Sequence, residues 1–367
     1  MITIKSMQLK KYAIKLKRPF ITNLHRQQNA EGYILALTVQ SGDRTYITGY
    51  GEAVPSLKVT GDSVESIPFV INELIRPALL EKSFETPVEI DSFVSEIIVF
   101  NSAARLVVSE AVYDVFARQA EQPIAEYLGG TSQAVITDYT LSISGVDQML
   151  TDAKNIVTKG FTDLKIKVGA DSIANEINKL IKLHTELPNI NFRIDANQAW
   201  TSKQTMAFIQ KAIANLLPIT FIEQPLKVGL EEELNQLAMH SEIPIMADES
   251  VFNHYQARGL FRYGAVKLIN IKLEKAGSIT EAQRIFEVAT HFDVKIMLGC
   301  MIESKVGIAF AVALANANSY HVAYIDLDSP FMFSNDIVAE GLQLEQSCLV
   351  PSLDNGIGIE KGSFDVL

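Results

Sequence analysis

"TDLKIKVG", residues 162–169, is a short apolar run with lysines at alternate positions, and it decides the interpretation of the fold. Similar runs recur along the chain, each followed by a polar amphipathic tract: "TDYTLSI" 137–143, "NFRIDANQ" 191–198, "ITFIEQPL" 219–226, "IPIMADES" 243–250, "AVKLINIKL" 265–273, "DVKIMLGC" 293–300 and "VAYIDLDSP" 322–330. Buried parallel strands that alternate with crossover helices produce this rhythm. Eight such units predict an α/β fold, a (β/α)8 barrel of the modified TIM type.

The chain before this repeat has a different pattern. Residues 7–16 and 32–54 alternate in hydropathy around a turn at Ser41-Gly42-Asp43, which predicts a meander or hairpin. Residues 63–81 and the tract from Asn101 have helical apolar spacing. We therefore predict an α+β capping domain over residues 1–130, completed by a C-terminal segment from about 331 to 367, and a barrel over residues 131–330.

Composition excludes several classes of protein. The formal net charge of −11 argues against a nucleic-acid partner, and no segment approaches the roughly 18 consecutive apolar residues of a membrane span. The N-terminus intersperses lysines with apolar residues, unlike a signal peptide, and Cys300 and Cys348 are too few for a disulfide scaffold. We predict a cytoplasmic protein with a small-molecule partner, assembled as a homo-oligomer.

Charged residues recur near the carboxyl ends of the predicted strands. Steps of 28, 28, 25 and 24 residues lead from Lys167 to Lys272, and 54 more reach Asp326. The charged residues at these strand ends are Lys165, Lys167, Asp195, Glu223, Asp248, Lys272, Asp326 and Asp328. Charged side chains in buried strands are costly unless paired or bound to metal, and barrel active sites lie at this end of the strands. The spacing therefore predicts that these side chains converge on one pocket.

Three of these residues predict a metal site. Asp195, Glu223 and Asp248 come from successive strands, and three close anions repel one another unless a cation lies between them. Oxygen ligands without His or Cys favour Mg²⁺, with Mn²⁺ as an alternative. Each acid taken singly is also compatible with a solvated or salt-bridged strand end.

The lysines predict proton transfer. Lys165 and Lys167 share one face of the second strand, and Lys272 lies on the sixth strand, roughly across the barrel. One lysine can remove a proton from one face of a carbon while the other delivers a proton to the opposite face. The alternatives are surface lysines, or a Schiff base as in barrel aldolases, which needs no acid triad.

Asp326 and Asp328 lie two positions apart on the eighth predicted strand, so both side chains point the same way. Such a pair can hold a metal, hold a positively charged substrate group, or face water. Because the acid triad already accounts for a metal, we favour a substrate ammonium group.

Several ordered motifs resemble a known family. "KIKVG" 165–169, "RIDANQAW" 193–200, "FIEQPL" 221–226, "ADES" 247–250 and "NIKLEKAG" 270–277 resemble the enolase superfamily, in its muconate-lactonizing subgroup. "GYGEAVPS" 49–56 and "VTGDS" 59–63 are similar to the family's capping loop, and "EAVYDVFARQAEQPIAEYLGG" 110–130 to the helix that leads into its barrel. The resemblance covers nearly the whole chain.

The resemblance implies a role for each matched residue. Asp195, Glu223 and Asp248 would bind Mg²⁺, Lys167 and Lys272 would be the acid/base pair, and Lys165 would assist the substrate carboxylate and the enediolate formed from it. "GCMIES" 299–304 followed by "IDLDSP" 325–330 is similar to dipeptide epimerases, which implies that Asp326 and Asp328 receive the α-ammonium of a dipeptide.

The substrate that this resemblance implies is L-Ala-L-Glu, converted to L-Ala-D-Glu. Arg26 is the predicted contact of the glutamate carboxylate, with His25 in the competing register. Thr140 and Cys300 are further candidates for the pocket wall. The alternatives within the subgroup are an N-succinylamino acid racemase, an o-succinylbenzoate synthase and a cycloisomerase, and outside it a barrel that binds without catalysis.

Overall fold

The N-terminal part of the chain forms an antiparallel sheet. This computed structural model describes residues 1–43, 45–360 and 362–364. Its first strands are β1 (Ile2–Ile21), β2 (Arg26–Ser41), β3 (Thr45–Ala53) and β4 (Ser83–Phe84), in the order β3-β2-β1-β4. Gly42 has a φ of +68° in the turn between β2 and β3, a conformation that glycine adopts without strain. The predicted meander is confirmed.

Helices follow this sheet. They are α1 (Ser66–Phe69), a π-helical segment (Val70–Ile75), α2 (Arg76–Leu79), α3 (Pro87–Ile97), α4 (Ser102–Gln119) and α5 (Ile124–Tyr127), before the short strand β5 (Val135–Ile136). The helical tract predicted over residues 63–81 is thus three pieces, and Pro77 stands at the start of the last piece. Proline has no N–H to continue the hydrogen-bond ladder, which accounts for the interruption.

The helix α4 joins the sheet to the barrel. Nearly all of its side chains are buried, because α4 packs on β3 on one side and on barrel helices on the other. A Cβ atom at Gly49 or Gly51 would lie 2.3 or 2.2 Å from a carbonyl oxygen of α4, so only glycine permits this approach.

The rest of the chain forms the barrel. Its elements are β6 (Tyr139–Leu141), α6 (Val146–Val157), β7 (Asp163–Lys167), α7 (Ile173–Glu186), β8 (Asn191–Asp195), α8 (Ser202–Ala214), β9 (Ile219–Glu223), α9 (Glu231–His240), β10 (Ile245–Ala247), α10 (His254–Phe261), β11 (Leu268–Ile271), α11 (Leu273–Ala276), α12 (Ile279–His291), β12 (Lys295–Gly299), α13 (Lys305–Ala317), β13 (Val322–Asp326) and α14 (Ser329–Met332). Neighbouring strands pair in parallel from β6 to β13. Between the ends of this sheet the Asp138 N–H donates to the Ile325 carbonyl at 3.3 Å, so the barrel is nearly closed. The predicted fold class is confirmed.

Polar residues start the barrel helices where the strands end. Side chains that accept a hydrogen bond from a first-turn N–H are Ser172, Thr201, Asn253, Ser278 and Ser304. Such caps satisfy backbone donors that have no partner within the helix. They fix the first turns of these five helices.

The last segment returns to the first domain. Strands β14 (Gln343–Glu345) and β15 (Cys348–Val350) form an antiparallel sheet with β5. The Ile357 N–H donates to Asp114 Oδ1 in α4 at 2.8 Å, and Leu16 bridges to Phe333. The domain bounds near residues 130 and 331 stay predictions, and residues 361 and 365–367 of the predicted segment lie outside the described residues. No helix in the described part of the chain is both long enough and apolar enough to cross a membrane.

Candidate active site

The three predicted metal ligands lie together at the carboxyl ends of their strands. Asp195 ends β8 opposite Glu223, which ends β9, and Asp248 directly follows β10. All three side chains are buried. The regular spacing in the sequence arises because equivalent positions of successive strands lie side by side.

Each predicted lysine is paired with one of these acids. Lys167 Nζ lies 2.5 Å from Asp195 Oδ2, and Lys272 Nζ lies 2.7 Å from Asp248 Oδ2. Burial favours the neutral amine of Lys272, but the charge of Asp248 outweighs it and raises the pKa of this lysine. The site therefore holds Lys272 as an ammonium group when only the carboxylates surround it.

Lys165 occupies the centre of the carboxylates. Its Nζ lies 2.6 Å from Asp326 Oδ2, 2.7 Å from Glu223 Oε2 and 3.3 Å from Asp195 Oδ2. Burial alone would lower the pKa of Lys165, but these charges together raise it well above its ordinary value. Lys165 is therefore a fixed positive charge rather than a proton acceptor in this structure.

Four further residues of the site were not predicted. Glu249 and Lys275 follow the predicted motif residues, Asn270 lies inside β11, and Asp138 precedes β6. Lys275 Nζ lies 2.6 Å from Asp248 Oδ1, and Asn270 donates to Glu223 Oε1 at 2.8 Å. We searched for charged residues at the carboxyl ends of strands. This search misses Asn270, which is a neutral amide within β11, and Asp138, which lies before the amino end of β6.

The residues present fit a divalent cation. Six buried carboxylates, from Asp195, Glu223, Asp248, Glu249, Asp326 and Asp328, face four buried lysines, Lys165, Lys167, Lys272 and Lys275. The set therefore lacks two positive charges. Glu223 Oε2 and Asp248 Oδ1 are buried and accept no hydrogen bond from the described residues, although a lysine Nζ lies within 2.7 Å of each. Burial and the charge of Asp195 raise the pKa of Glu223 to about 8, as expected of an acid that shares its lysine, Lys165, with two other carboxylates.

A second group of acids lies beside the triad. Among the described residues, one group of three acids has oxygens that all lie within 4.8 Å of one another. This group is Asp138, Asp326 and Asp328, and not the predicted triad. The triad is more open because Lys165 Nζ stands between Asp195 and Glu223. The metal ligands that we predicted thus stay a prediction, and both groups of acids are candidates for a cation.

Asp326 and Asp328 face the same cavity, but not for the reason that we predicted. Strand β13 ends at Asp326, and Asp328 has helical backbone angles as the residue before α14. The Thr140 N–H donates to Asp328 Oδ2 at 2.5 Å, which turns this carboxylate toward β6. Burial and the charge of Asp326 raise the pKa of Asp328 to about 7, so the contact of Lys165 with Asp326 does not balance both carboxylates.

These side chains surround a cavity of about 710 Å³, counting its mouth. Eight of the predicted site residues line it, namely Thr140, Lys165, Lys167, Asp248, Lys272, Cys300, Asp326 and Asp328. Asp195 and Glu223 lie beneath the cavity wall, where they contact Lys165 and Lys167, two lysines that line the cavity. A concave wall that combines apolar side chains with a few convergent charged groups is typical of a small-molecule site.

Cys300 contributes to the wall. Its thiol donates to the Asp326 carbonyl at 3.4 Å, and burial together with the charge of Glu303 raises its pKa well above the ordinary value. A thiol held in the protonated form is a poor nucleophile. Cys300 is therefore a packing and hydrogen-bonding residue of the cavity.

The capping loop between β1 and β2 brings His25 to the cavity, and not Arg26. His25, Leu24 and Gln27 line the cavity, whereas Arg26 is exposed at the first position of β2. Alternate residues of a strand point to opposite faces, so Arg26 points away from the side that Gln27 lines. The position of Arg26 does not support the contact that we predicted for it.

His25 is neutral near pH 7. Burial, and next the charge of Lys167, lower its pKa below the ordinary value of 6.5. This part of the cavity therefore offers a neutral imidazole and an apolar wall from Phe20 and Leu24.

A barrel with acids and lysines on its strand ends, capped by an α+β domain, defines the class of this protein. The chain belongs to the enolase C-terminal domain-like family, whose model matches residues 148–361. The family membership that we predicted is confirmed.

Individual relatives are dipeptide epimerases. L-Ala-D/L-Glu epimerase of Bacillus subtilis is 35% identical over 354 residues, covering 96% of this chain and 95% of the relative. Hydrophobic dipeptide epimerase of Enterococcus faecalis is 34% identical over 349 residues, covering 95% and 96%.

Solved structures of these relatives share the fold. The substrate-liganded Bacillus subtilis epimerase superposes with a TM-score of 0.93, with 35% identity, over 97% of this chain and 98% of the other. The Enterococcus faecalis epimerase complexed with Mg and the dipeptide L-Leu-L-Tyr has a TM-score of 0.91, 32% identity and coverage of 98% and 99%.

Proposed function

We propose that this chain is a Mg²⁺-dependent dipeptide epimerase that inverts the α-carbon of the second residue. One observation carries this proposal: Lys167 and Lys272 line the same cavity as Asp326 and Asp328. Lys167 ends β7, Lys272 directly follows β11, and these two strands have three other strands between them. Two bases on opposite sides of a carbon suit inversion of its configuration, and a carboxylate pair suits a free ammonium group. The dipeptide epimerases among the relatives support the same reaction.

Asp195, Glu223 and Asp248 are the residues that would hold the metal ion. When bound, Mg²⁺ supplies positive charge beside the substrate carboxylate, where negative charge grows as the α-proton leaves. Lys165 supplies a second, fixed positive charge next to the same acids.

The two lysines move the proton. One of them accepts the α-proton from its side of the carbon, and the enediolate of the substrate then accepts a proton from the other lysine on the opposite side. Both lysines have a carboxylate partner, which keeps each Nζ in place. The dipeptide ammonium lies at Asp326 and Asp328, which fixes the end of the substrate away from the reacting carbon.

The second residue of the substrate has two candidates. L-Ala-L-Glu is the first candidate, on the resemblance of the motifs. The position of His25 favours a second candidate, a dipeptide whose second side chain is neutral, because an uncharged imidazole does not balance a glutamate carboxylate.

The test is exchange of hydrogen in D₂O. With Mg²⁺, we expect the α-hydrogen of the second residue to exchange for deuterium in L-Ala-L-Glu or in a dipeptide with a neutral second residue, as followed by NMR and mass spectrometry. Absence of exchange across a dipeptide panel would overturn the proposal.

Two further arms separate the alternatives. Faster exchange of N-succinyl amino acids than of any dipeptide would favour a racemase of that class. Borohydride trapping of a carbonyl substrate, with activity that EDTA does not change, would favour Schiff-base chemistry. Activity with Mn²⁺, a homo-oligomeric state and a cytoplasmic location stay predictions.

A further inference from the structure

Asp138 forms a third member of the acid cluster at the ammonium end of the cavity. It precedes β6, is 1% exposed, and contributes an oxygen within 4.8 Å of oxygens of Asp326 and Asp328. It does not line the cavity itself. The cluster therefore has a buried member behind the two carboxylates that face the substrate.

One oxygen of Asp138 has no partner. Oδ2 accepts from Arg193 Nη1 at 2.7 Å, whereas Oδ1 is fully buried and accepts no hydrogen bond from any described residue. An orphaned carboxylate oxygen in a buried position is costly unless a positive charge lies near it. This observation is independent of the closeness of the three acids.

Positive charge is scarce around this cluster. Arg193 forms an ion pair with Asp138. Lys165 forms an ion pair with Asp326, but it also pairs with Asp195 and Glu223. Burial and the charge of Asp326 raise the pKa of Asp138 well above its ordinary value. Among the described residues, the three acids of the cluster form ion pairs only with Arg193 and with Lys165, which has other partners. The cluster therefore attracts one further cation.

Asp138 is not the only partner of Arg193. Arg193 also donates to the Ile325 carbonyl at 2.8 Å and lies 3.6 Å from Asp163 Oδ1. The guanidinium thus has one further hydrogen-bond acceptor and one longer ion pair in addition to Asp138.

We propose that Asp138 is a positioning residue that makes the site selective for substrates with a free α-ammonium group, acting through Asp326 and Asp328. This inference rests on the proposed function and goes beyond it by naming a specificity determinant on β6's side of the cavity. An ammonium group at Asp326 and Asp328 favours the charged form of Asp138, and that charge then strengthens the attraction from behind the two contacting carboxylates. In a buried site, a charge that does not touch the ligand still has a sizeable effect.

The test compares two substrates that differ only in the ammonium group. One is the best dipeptide found for the wild type, and the other is its analogue with a propionyl group in place of the alanyl group. In Asp138→Asn we expect kcat/KM for the free-amine substrate to fall about tenfold, mainly through KM, with little change for the analogue. The ratio between the two substrates is the readout, since a merely structural defect lowers both.

Asp163→Asn is the matched control. Asp163 approaches Arg193 from outside the cluster, so this variant perturbs the same arginine and should keep the wild-type ratio. If Asp138→Asn does not fold, Asp138→Ser, which leaves room for water beside Arg193, carries the same expectation. An unchanged ratio in the variant, or an equal loss for both substrates, overturns the inference.

Metal titration supplies a second criterion. Two Mg²⁺ ions per chain in the wild type and one in Asp138→Asn would assign the cluster to a metal and overturn the inference. Absence of exchange in the wild type would instead sink the proposed function.

Discussion

Lys165 and Asp326 join the second and the eighth strand of the barrel, with Nζ and Oδ2 2.6 Å apart. The same lysine contacts Glu223 and Asp195, so one ammonium group links the acids proposed for the metal to the acid proposed for the substrate. In the proposed function, a dipeptide ammonium at Asp326 competes with Lys165 for this carboxylate. We therefore expect binding of the substrate to leave Lys165 more available to the substrate carboxylate.

The first prediction concerns this acid pair. Asp326→Asn and Asp328→Asn should each lower kcat/KM for the dipeptide by about thirtyfold, equivalent to about 2 kcal/mol, because each removes a buried charge partner of the ammonium. Mg²⁺ affinity, measured by calorimetry, should stay within a few-fold of the wild type. The exposed Asp354→Asn is the control. Collapse of metal affinity would show that the pair binds the metal.

The second prediction concerns the lysines. Lys167→Met and Lys272→Met should each lose exchange from one epimer by about a factor of 10³ and keep measurable exchange from the other, because each lysine serves one side of the carbon. NMR in D₂O with the L,L and L,D dipeptides measures this. Lys295→Met, at the opposite end of β12, is the control. Equal loss for both epimers in both variants would contradict the division of roles.

The third prediction concerns the capping loop. His25→Arg should raise exchange of L-Ala-L-Glu relative to L-Ala-L-Leu about tenfold, because a guanidinium pairs with a carboxylate through two hydrogen bonds. Arg26→Ala should leave the ratio unchanged, since Arg26 does not line the cavity. The opposite result, a loss in Arg26→Ala with no gain in His25→Arg, would restore Arg26 as the contact.

The fourth prediction concerns stability and pH. Asp91 in α3 accepts hydrogen bonds from Thr280 Oγ1 at 2.5 Å and from Ser109 Oγ at 3.0 Å, and burial raises its pKa from 3.8 to about 6. Because the folded pKa exceeds the unfolded one, Asp91 contributes stability below pH 3.8 that is lost as the pH rises through 6.

Asp91→Asn lacks this titration. The free energy of unfolding of the wild type, relative to that of the variant, should therefore fall by up to about 3 kcal/mol between pH 4 and pH 7. Urea denaturation at several pH values measures the difference, with Asp354→Asn as a control that should show no such trend. A difference that does not change with pH would show that Asp91 titrates alike in both states.

The barrel could be predicted because its signal is repeated. Asp195, Glu223 and Asp248 recur at one strand-plus-helix spacing, and each buried strand end has few ways to accommodate a charge. The capping loop carries no such repeat. Whether His25 or Arg26 reaches the cavity depends on where β2 begins, and a shift of one residue reverses the two sides of a strand.

Other features depend on tertiary contacts that no local pattern contains. Asp138 lies at the start of its strand, and only closure of β6 against β13 brings it beside Asp326. Asp328 faces the cavity because the Thr140 N–H binds it, not because β13 continues. The break of the helical tract into pieces, with Pro77 at the start of the last piece, is likewise a feature that the apolar spacing does not reveal.

The returning C-terminal segment has a consequence for biosynthesis. Asp114 of α4 accepts from Ile357, Arg118 donates to the Ile359 carbonyl at 2.7 Å, and Phe364 packs on Tyr50 with ring centroids 5.0 Å apart. Domains usually fold in the order in which the ribosome releases them. Here the N-terminal domain waits for Ile357, Ile359 and Phe364, which follow the whole barrel in the chain, so a nascent chain carries an unfinished cap, with part of α4 exposed to chaperones and proteases, until the barrel has been translated.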